Sequence, residues 1–199
     1  RRSCLLPDER ISTEKSEPNA ECSEPWLWSM FDGWCAEVET NEFLHALVRL
    51  TKPQFVLETG TWHGIAAFAM GTGLRDNGRG SLVSIELDRE SHAVAQRRIR
   101  DKDLDGQDQL VCGSSLDFVP NQPIDLALFD SDLNLRSREF EHFRPYLAPG
   151  ALILFHDTSS THNVVGNAVN QLLVDRTLEG FLLPTPRGLA ICRYTLRDD

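Results

Sequence analysis

Lysine is scarce in this chain of 199 residues, occurring only at positions 15, 52 and 102. Acidic residues outnumber basic ones by 30 to 20, for a formal net charge of −10. A duplex binder needs a dense cationic face to displace phosphate counterions, so no nucleic-acid partner is expected. The arginine-rich run RRIR at 97–100 reads as a solvated helix face. Long apolar runs are also missing. None approaches the ~18 residues of a membrane span, so no membrane partner is expected. The five cysteines, at 4, 22, 35, 112 and 192, are odd in number and contain no C-x-x-C pair. That argues against a disulfide framework and fits a reducing compartment, hence a cytoplasmic location. The opening RRSCLL has neither an initiator methionine nor a signal-peptide apolar core, so the numbering is expected to begin inside a longer product.

What is present suits one domain with a sizeable core: 41% of the residues are apolar and 25% charged. Residues 1–24 are rich in Glu, Ser and Pro and read as a flexible leader that cannot bury enough surface to order itself. Residues 25–199 then form a single domain opened by helices. In the first of these, EPWLWSMFDGWCAEV, the aromatics Trp26, Trp28, Phe31 and Trp34 are expected to pack on the body. The second is capped by Thr40 or Asn41, with Phe43, Leu44, Leu47, Val48 and Leu50 as its apolar stripe. After Pro53 strands near 55–58, 81–86, 109–112, 124–129 and 151–155 alternate with helices near 64–74, 90–101, 136–147 and 162–178. Such alternation predicts an α/β fold with a mostly parallel sheet covered on both faces. GFLLPTPRGLAICRYTL predicts an antiparallel hairpin closing one edge.

In open α/β sheets ligands bind beyond the carboxyl ends of the strands. Several polar residues and glycines fall at those ends: Glu58 and Gly60, Glu86, Gly113 to Ser115, Asp130, and His156 with Asp157. In FVLETGTWHG, Gly60 and Gly64 permit a tight turn with a helix N-terminus behind it. A plain strand-to-helix turn explains that stretch equally well. The spacing is G-x-x-x-G, not the dinucleotide G-x-G-x-x-G, and an acid precedes it. A carboxylate there disfavours a pyrophosphate and favours a ligand with positive charge. Glu86, ending the second strand, is placed to accept hydrogen bonds from both hydroxyls of a ribose. Asp88 is expected to cap the helix that follows.

These segments together resemble a class I S-adenosylmethionine-dependent methyltransferase, from about Phe43 to Tyr194. The likeness is to the catechol and caffeoyl-CoA O-methyltransferases, and also to macrocin-type sugar methyltransferases and cephalosporin-hydroxylase-like proteins. VLETGTWHG matches their first motif, SIELD the acidic ribose motif and VCGSSLDF the adenine segment, while IDLALFDSD and GALILFHDT match the fourth and fifth strands. The resemblance implies a Rossmann-like fold with a seven-stranded sheet. S-adenosylmethionine would be the cofactor and a small hydroxylated molecule the acceptor; a homodimer follows by analogy alone. Glu58 and Gly60 would face the cationic methionine end, Glu86 the ribose, and Gly113, Ser114 and Ser115 the adenine. Thr61, Trp62, Gly64, Leu87 and Asp130 complete the expected cofactor contacts. His63 is placed in the same turn, where a structural role is the simpler reading.

Methyl transfer is an in-line displacement, and alignment of the reactants can supply ~7–11 kcal/mol of it. A divalent cation such as Mg²⁺ can further acidify the accepting hydroxyl. Asp130, His156 and Asp157 match the positions of the family's metal ligands and are the expected catalytic residues. Histidine suits a transition metal better than Mg²⁺. A second account remains open, in which the two aspartates only hold backbone and cap helices. The chain departs from the family at Leu133, where catechol-type relatives carry lysine and many macrocin-like ones histidine. A base would have to come from Asp132, His156 or His162. An S-adenosylmethionine-binding protein without methyl transfer is therefore the alternative. A nicotinamide oxidoreductase is disfavoured by the missing fingerprint.

Overall fold

A computed structural model describes residues 17–101, 104 and 108–195; Cys4 and most of the expected leader lie outside them. Seven strands, β1 (Phe55–Thr59), β2 (Ser81–Glu86), β3 (Asp108–Cys112), β4 (Ile124–Phe129), β5 (Leu147–His156), β6 (Leu178–Leu183) and β7 (Leu189–Tyr194), form one sheet. Their order is β3-β2-β1-β4-β5-β7-β6. The first five pair in parallel, β7 runs antiparallel to β5, and β6 is antiparallel to β7, which gives the expected terminal hairpin. Five α-helices accompany them among the described residues: α1 (Val38–Thr51), α2 (Ile65–Asn77), α3 (Arg89–Asp101), α4 (Arg136–Phe143) and α5 (Asn163–Val174). Among the described residues no helix is long and apolar enough to cross a membrane.

Side chains alternate between the two faces of a strand, and both faces are buried here. Val56, Leu82, Leu126, Leu128 and Leu154 pack toward α1 and α2, with Leu44, Val48, Met70 and Leu74 opposite. Phe55, Leu57, Ile85, Phe129, Ile153 and Phe155 pack toward α4 and α5. On that second face Phe129 stacks on Phe155 at 5.1 Å between ring centres and meets Phe140 edge-on at 6.2 Å. Aromatic pairs of this kind add ~0.5–1.5 kcal/mol beyond burial.

The N-terminal helices differ from expectation. Residues 24–37 hold no α-helix, only a 3-10 turn at Pro25–Leu27 and an isolated bridge at Met30. Asp32 is the physical reason: its Oδ1 accepts the N–H groups of both Trp34 and Cys35 at 2.8 Å, a local turn that competes with helix. Met30, Cys35 and Ala36 are buried, while Trp34 is 73% exposed. Helix α1 starts earlier than expected, behind Glu37. Thr40 and Asn41 sit inside its first turn, where Asn41 Nδ2 donates to the carbonyls of Ala36 and Glu37 and Thr40 Oγ1 donates to Glu37 Oε2. Leu50, expected in the apolar stripe, is 81% exposed. Near the other end α4 gives way to a 3-10 turn at Arg144–Tyr146, and β5 starts four residues earlier than read. From Asn19 onward the expected leader is anchored: Asn19 Nδ2 donates to the Pro186 carbonyl at 2.7 Å, and Cys22 is buried.

Candidate functional site

The strand order reverses between β1 and β4, so loops diverge there and leave a crevice. A cavity of about 710 Å³ occupies it, lined from the turn after β1 (Gly60, Trp62) through Glu86 to Asp88 and Gly113 to Ser115. On the other side it is lined by Asp130 to Leu133, Arg136, Glu139, Asp157, His162 and Arg187, with Trp34 at its edge. The rims are fixed by backbone bonds that prolong the sheet. The Gly60 N–H donates to the Ile85 carbonyl, Asp130 N–H to Thr59, and Gly113 N–H to Glu86, each at 2.9 Å. Gly60 has φ +82, and a Cβ there would overlap the Asp130 carbonyl, so only glycine lets β1 and β4 approach this closely.

Not all the residues expected to hold a cofactor reach this space. Gly60, Trp62, Glu86, Leu87, Gly113, Ser114, Ser115 and Asp130 do. Glu58, Thr61 and Gly64 are not among the lining residues. Glu58 is fully buried, and its Oε2 accepts the hydroxyl of Ser84, its register partner on β2. Thr61 Oγ1 lies 2.5 Å from that same Ser84 hydroxyl. Burial pushes the Glu58 carboxyl well above the usual range, and the nearby Asp130, Glu86 and Asp108 push it further. Glu58 therefore sits beneath the turn with its charged form disfavoured. Gly64 opens α2 and packs on Ala95 of α3.

Glu86 is held differently. Its Oε2 accepts the Trp62 N–H at 2.7 Å and its Oε1 the Asp88 N–H at 2.8 Å. Each oxygen keeps a second lone pair for a ligand. Asp88 caps α3 as expected, accepting the Ser91 N–H at 2.8 Å. The Trp62 ring stacks on His63 at 4.3 Å, with Trp34 6.1 Å away. His63 Nδ1 lies 3.7 Å from Asp32, so this histidine braces the turn.

Behind the Asp130 and Asp157 side of the cavity lies a buried ion network. Arg136 Nη2 donates to Asp130 Oδ1 at 3.1 Å and to Asp157 Oδ2 at 2.8 Å. Its other N–H groups go to the carbonyls of Ser131 and His156. Arg187 grips Asp157 with Nε at 2.6 Å and Nη2 at 3.1 Å, and reaches the Gly33 carbonyl with Nη1. His156 places Nδ1 3.0 Å from Asp130 and Nε2 3.4 Å from Glu37. Burial opposes a charged His156, yet Asp130 and Asp157 lift it to about 10. Burial likewise opposes a charged Glu37, but its bond to His156 and that ring's charge hold it down at about 2. Asp157 is driven well below the usual carboxylate range: burial opposes this and is outweighed by His156, Arg187 and Arg136.

Asp130, His156 and Asp157 place ligand-capable atoms within 4.8 Å of one another, the right scale for a metal. The donor set nevertheless does not fit a divalent cation. Asp157 accepts guanidinium N–H groups on both oxygens, Asp130 Oδ1 serves Arg136 and His156, and the Arg136 cation itself stands between the two carboxylates. A ring with carboxylates at both nitrogens is an imidazolium, which has no lone pair to give. The expected metal ligands thus come together as an ion network.

Sequence reasoning missed Glu37, Arg136, Glu139 and Arg187. Glu139 is fully buried and accepts the hydroxyls of Thr59 (2.9 Å), Ser131 (2.6 Å) and Ser115, tying the ends of β1, β3 and β4 to α4. An available signal was the R-x-x-E spacing of Arg136 and Glu139 on one helix face beside a strand end. No sequence signal singled out Glu37 or Arg187. His162 lines the cavity with its side chain partly exposed and Nε2 3.9 Å from Asp157. Burial lowers its pKa and Asp157 counters, while Arg187, His156 and Arg136 lower it further, so it is neutral near pH 7.

A sheet of this order with one antiparallel strand, and a polar cavity at its point of reversal, defines the Rossmann-like methyltransferase architecture. The chain belongs to the methyltransferase-domain family, whose sequence profile matches residues 57–158. It is 31% identical over 120 residues to a catechol O-methyltransferase of Niastella koreensis, covering 57% of this chain and 53% of that protein. The chain thus spans about half the length of this curated relative. Similar solved structures include an O-methyltransferase from Bacillus cereus in complex with SAH (TM-score 0.73, 17% identity, 82% and 84% of the two chains covered). Another is the O-methyltransferase TomG of Streptomyces achromogenes in complex with SAM (TM-score 0.71, 18% identity, 82% of each chain covered). At these identities the likeness is one of fold.

Proposed function

We propose that this protein transfers the methyl group of S-adenosylmethionine to a hydroxyl oxygen of a small molecule. The observation that carries this reading is the single cavity joining Glu86 at one end to His162 and Arg187 at the other. Glu86 would hold the ribose with the lone pairs left free by Trp62 and Asp88. The open ground at Gly113, where a Cβ would meet nothing within 4 Å, suits a flat base. Gly60 and Asp130 would border the methionine portion. The donor supplies an electrophilic methyl on a cationic sulfur, and the chain supplies alignment, exclusion of water and a proton acceptor.

Of the three base candidates, His162 fits best. His156 is enclosed and protonated, and Asp132 Oδ1 is occupied by the Asn134 N–H at 2.9 Å. His162 is neutral and borders the cavity. Leu133, in the place of the relatives' lysine or histidine, borders the same space. That substitution supports the second reading, donor binding without transfer.

To test the first reading, the protein is incubated with S-adenosylmethionine and a panel of hydroxylated acceptors. S-adenosylhomocysteine and methylated product should form in equal amounts. His162→Gln should lower kcat by about 10²–10⁴, the usual worth of a general base, while donor binding by calorimetry is kept. Tight donor binding with no turnover on any acceptor would favour the second reading.

A further inference from the structure

We infer that the Arg136 guanidinium fills the place a divalent cation would need between Asp130 and Asp157, making this centre a metal-free variant of its fold. The inference rests on the methyl-transfer reading only for its catalytic meaning; the chemistry of the centre stands by itself. Arg136 bridges the two aspartates at 3.1 and 2.8 Å from one nitrogen, and its side chain is 4% exposed. Five bonds, two to the Ser131 carbonyl and one each to His156, Asp130 and Asp157, fix its plane. Arginine keeps its charge at any working pH, so this is a permanent cation at the spot.

Charge closes the argument. Glu37, Asp130 and Asp157 carry three negative charges, and Arg136, Arg187 and the doubly bonded His156 ring carry three positive ones. A cluster already neutral and hydrogen-bonded has no reason to recruit a dication. Admitting one would expel Arg136, leaving a buried cation without partners, or else require His156 to give up its proton. Arg187 adds a feature a metal lacks. Three of its five side-chain N–H groups go to Asp157 and Gly33, and the remainder are free for a ligand in the cavity that it lines. The fork suits an acceptor bearing a carboxylate or a second oxygen beside the reacting hydroxyl.

The test is Mn²⁺ binding to the full chain, followed by loss of the free-ion electron paramagnetic resonance signal. The wild type should take up no stoichiometric Mn²⁺, and donor affinity by calorimetry should change less than twofold on adding EDTA or Mg²⁺. Arg136→Ala, checked for folding by circular dichroism, should gain one Mn²⁺ site. One equivalent of Mn²⁺ bound by the wild type, or at least tenfold weaker donor binding in EDTA, would overturn the inference. So would a folded Arg136→Ala protein that binds no Mn²⁺. Should the wild type bind no donor under any condition, the methyl-transfer reading fails while the Mn²⁺ result still decides this one.

Discussion

Carboxylates of the same kind are pushed in opposite directions here, and surroundings decide which. Asp157 is ionised because two guanidiniums and an imidazolium face it. Glu58 is pushed the other way, well above the usual range, by its burial and by the like charges of Asp130, Glu86 and Asp108, with the Ser84 hydroxyl only partly opposing them. Asp108 at the start of β3 is a third case. Both its oxygens are buried with no partner among the described residues, and burial raises it to about 7. A raised carboxyl pKa means the folded state keeps a proton that the unfolded chain releases. The resulting penalty is nil below about pH 4, grows as pH rises to about 7, and is constant above. Asp108→Asn removes that charge. The variant should gain on the order of 2–4 kcal/mol over wild type between pH 4 and pH 8, at ~1.4 kcal/mol per pKa unit. Urea unfolding at the two pH values checks this, and a stability difference that does not widen would refute it. The positions of Glu58 and Asp157 were legible in the sequence, because apolar runs ended on them, whereas Asp108 opens its strand and drew no notice. Their charge states were not, because the deciding partners lie far along the chain: Arg136 is 21 residues from Asp157, and Arg187 is 30.

At the level of elements, the parallel strands could be read from their apolar runs because burial on both faces leaves little room for polar residues. Ser84 and Glu58 are exceptions, and they pair with each other across β1 and β2. The stretch 24–38 could not be read the same way. Its aromatics suggested a helix, but a single Asp32 side chain bonding forward to Trp34 and Cys35 was enough to set another path. Two glycines test what the strand ends require. Gly60 is fixed by the sheet, with φ +82 and the Asp130 backbone where a Cβ would go. Gly60→Ala should cost about 2–5 kcal/mol from left-handed strain plus overpacking, lowering Tm by roughly 4–20 °C. Gly113 has open space around it. Gly113→Ala should leave Tm within about 2 °C, a surface-type change, yet weaken donor binding in calorimetry. Equal Tm losses in the two variants would mean that Gly113 serves the sheet as well and that the cavity assignment is misplaced.

Across the whole molecule, the segment before α1 is strapped onto the far end of the chain. Asn19 bonds Pro186, Glu21 accepts the N–H and hydroxyl of Ser160, and Glu37 accepts the Arg187 N–H at 2.9 Å. Arg187 is the rivet: its side chain holds Gly33 and Asp157 while its backbone holds Glu37. Closure of such a long loop costs entropy that these polar contacts and the burial of Cys22, Met30, Cys35 and Ala36 offset together, so loosening one should show locally before it shows globally. Trp34, at the cavity edge, lies inside the strapped stretch. Arg187→Lys keeps a charge for Asp157 but lacks the fork that spans both Asp157 and Gly33. Loss of a charged hydrogen bond is worth ~1.5–3 kcal/mol, so amides at 29–37 should exchange roughly 10–150-fold faster, while those of β1 and β4 stay protected. The cavity wall around Trp34 should loosen with them, and because Trp34 lies 6.1 Å from Trp62, whose N–H binds Glu86, donor binding should weaken as well. Unchanged exchange at 29–37 would mean that burial of Met30, Cys35 and Ala36 holds the strap without the arginine.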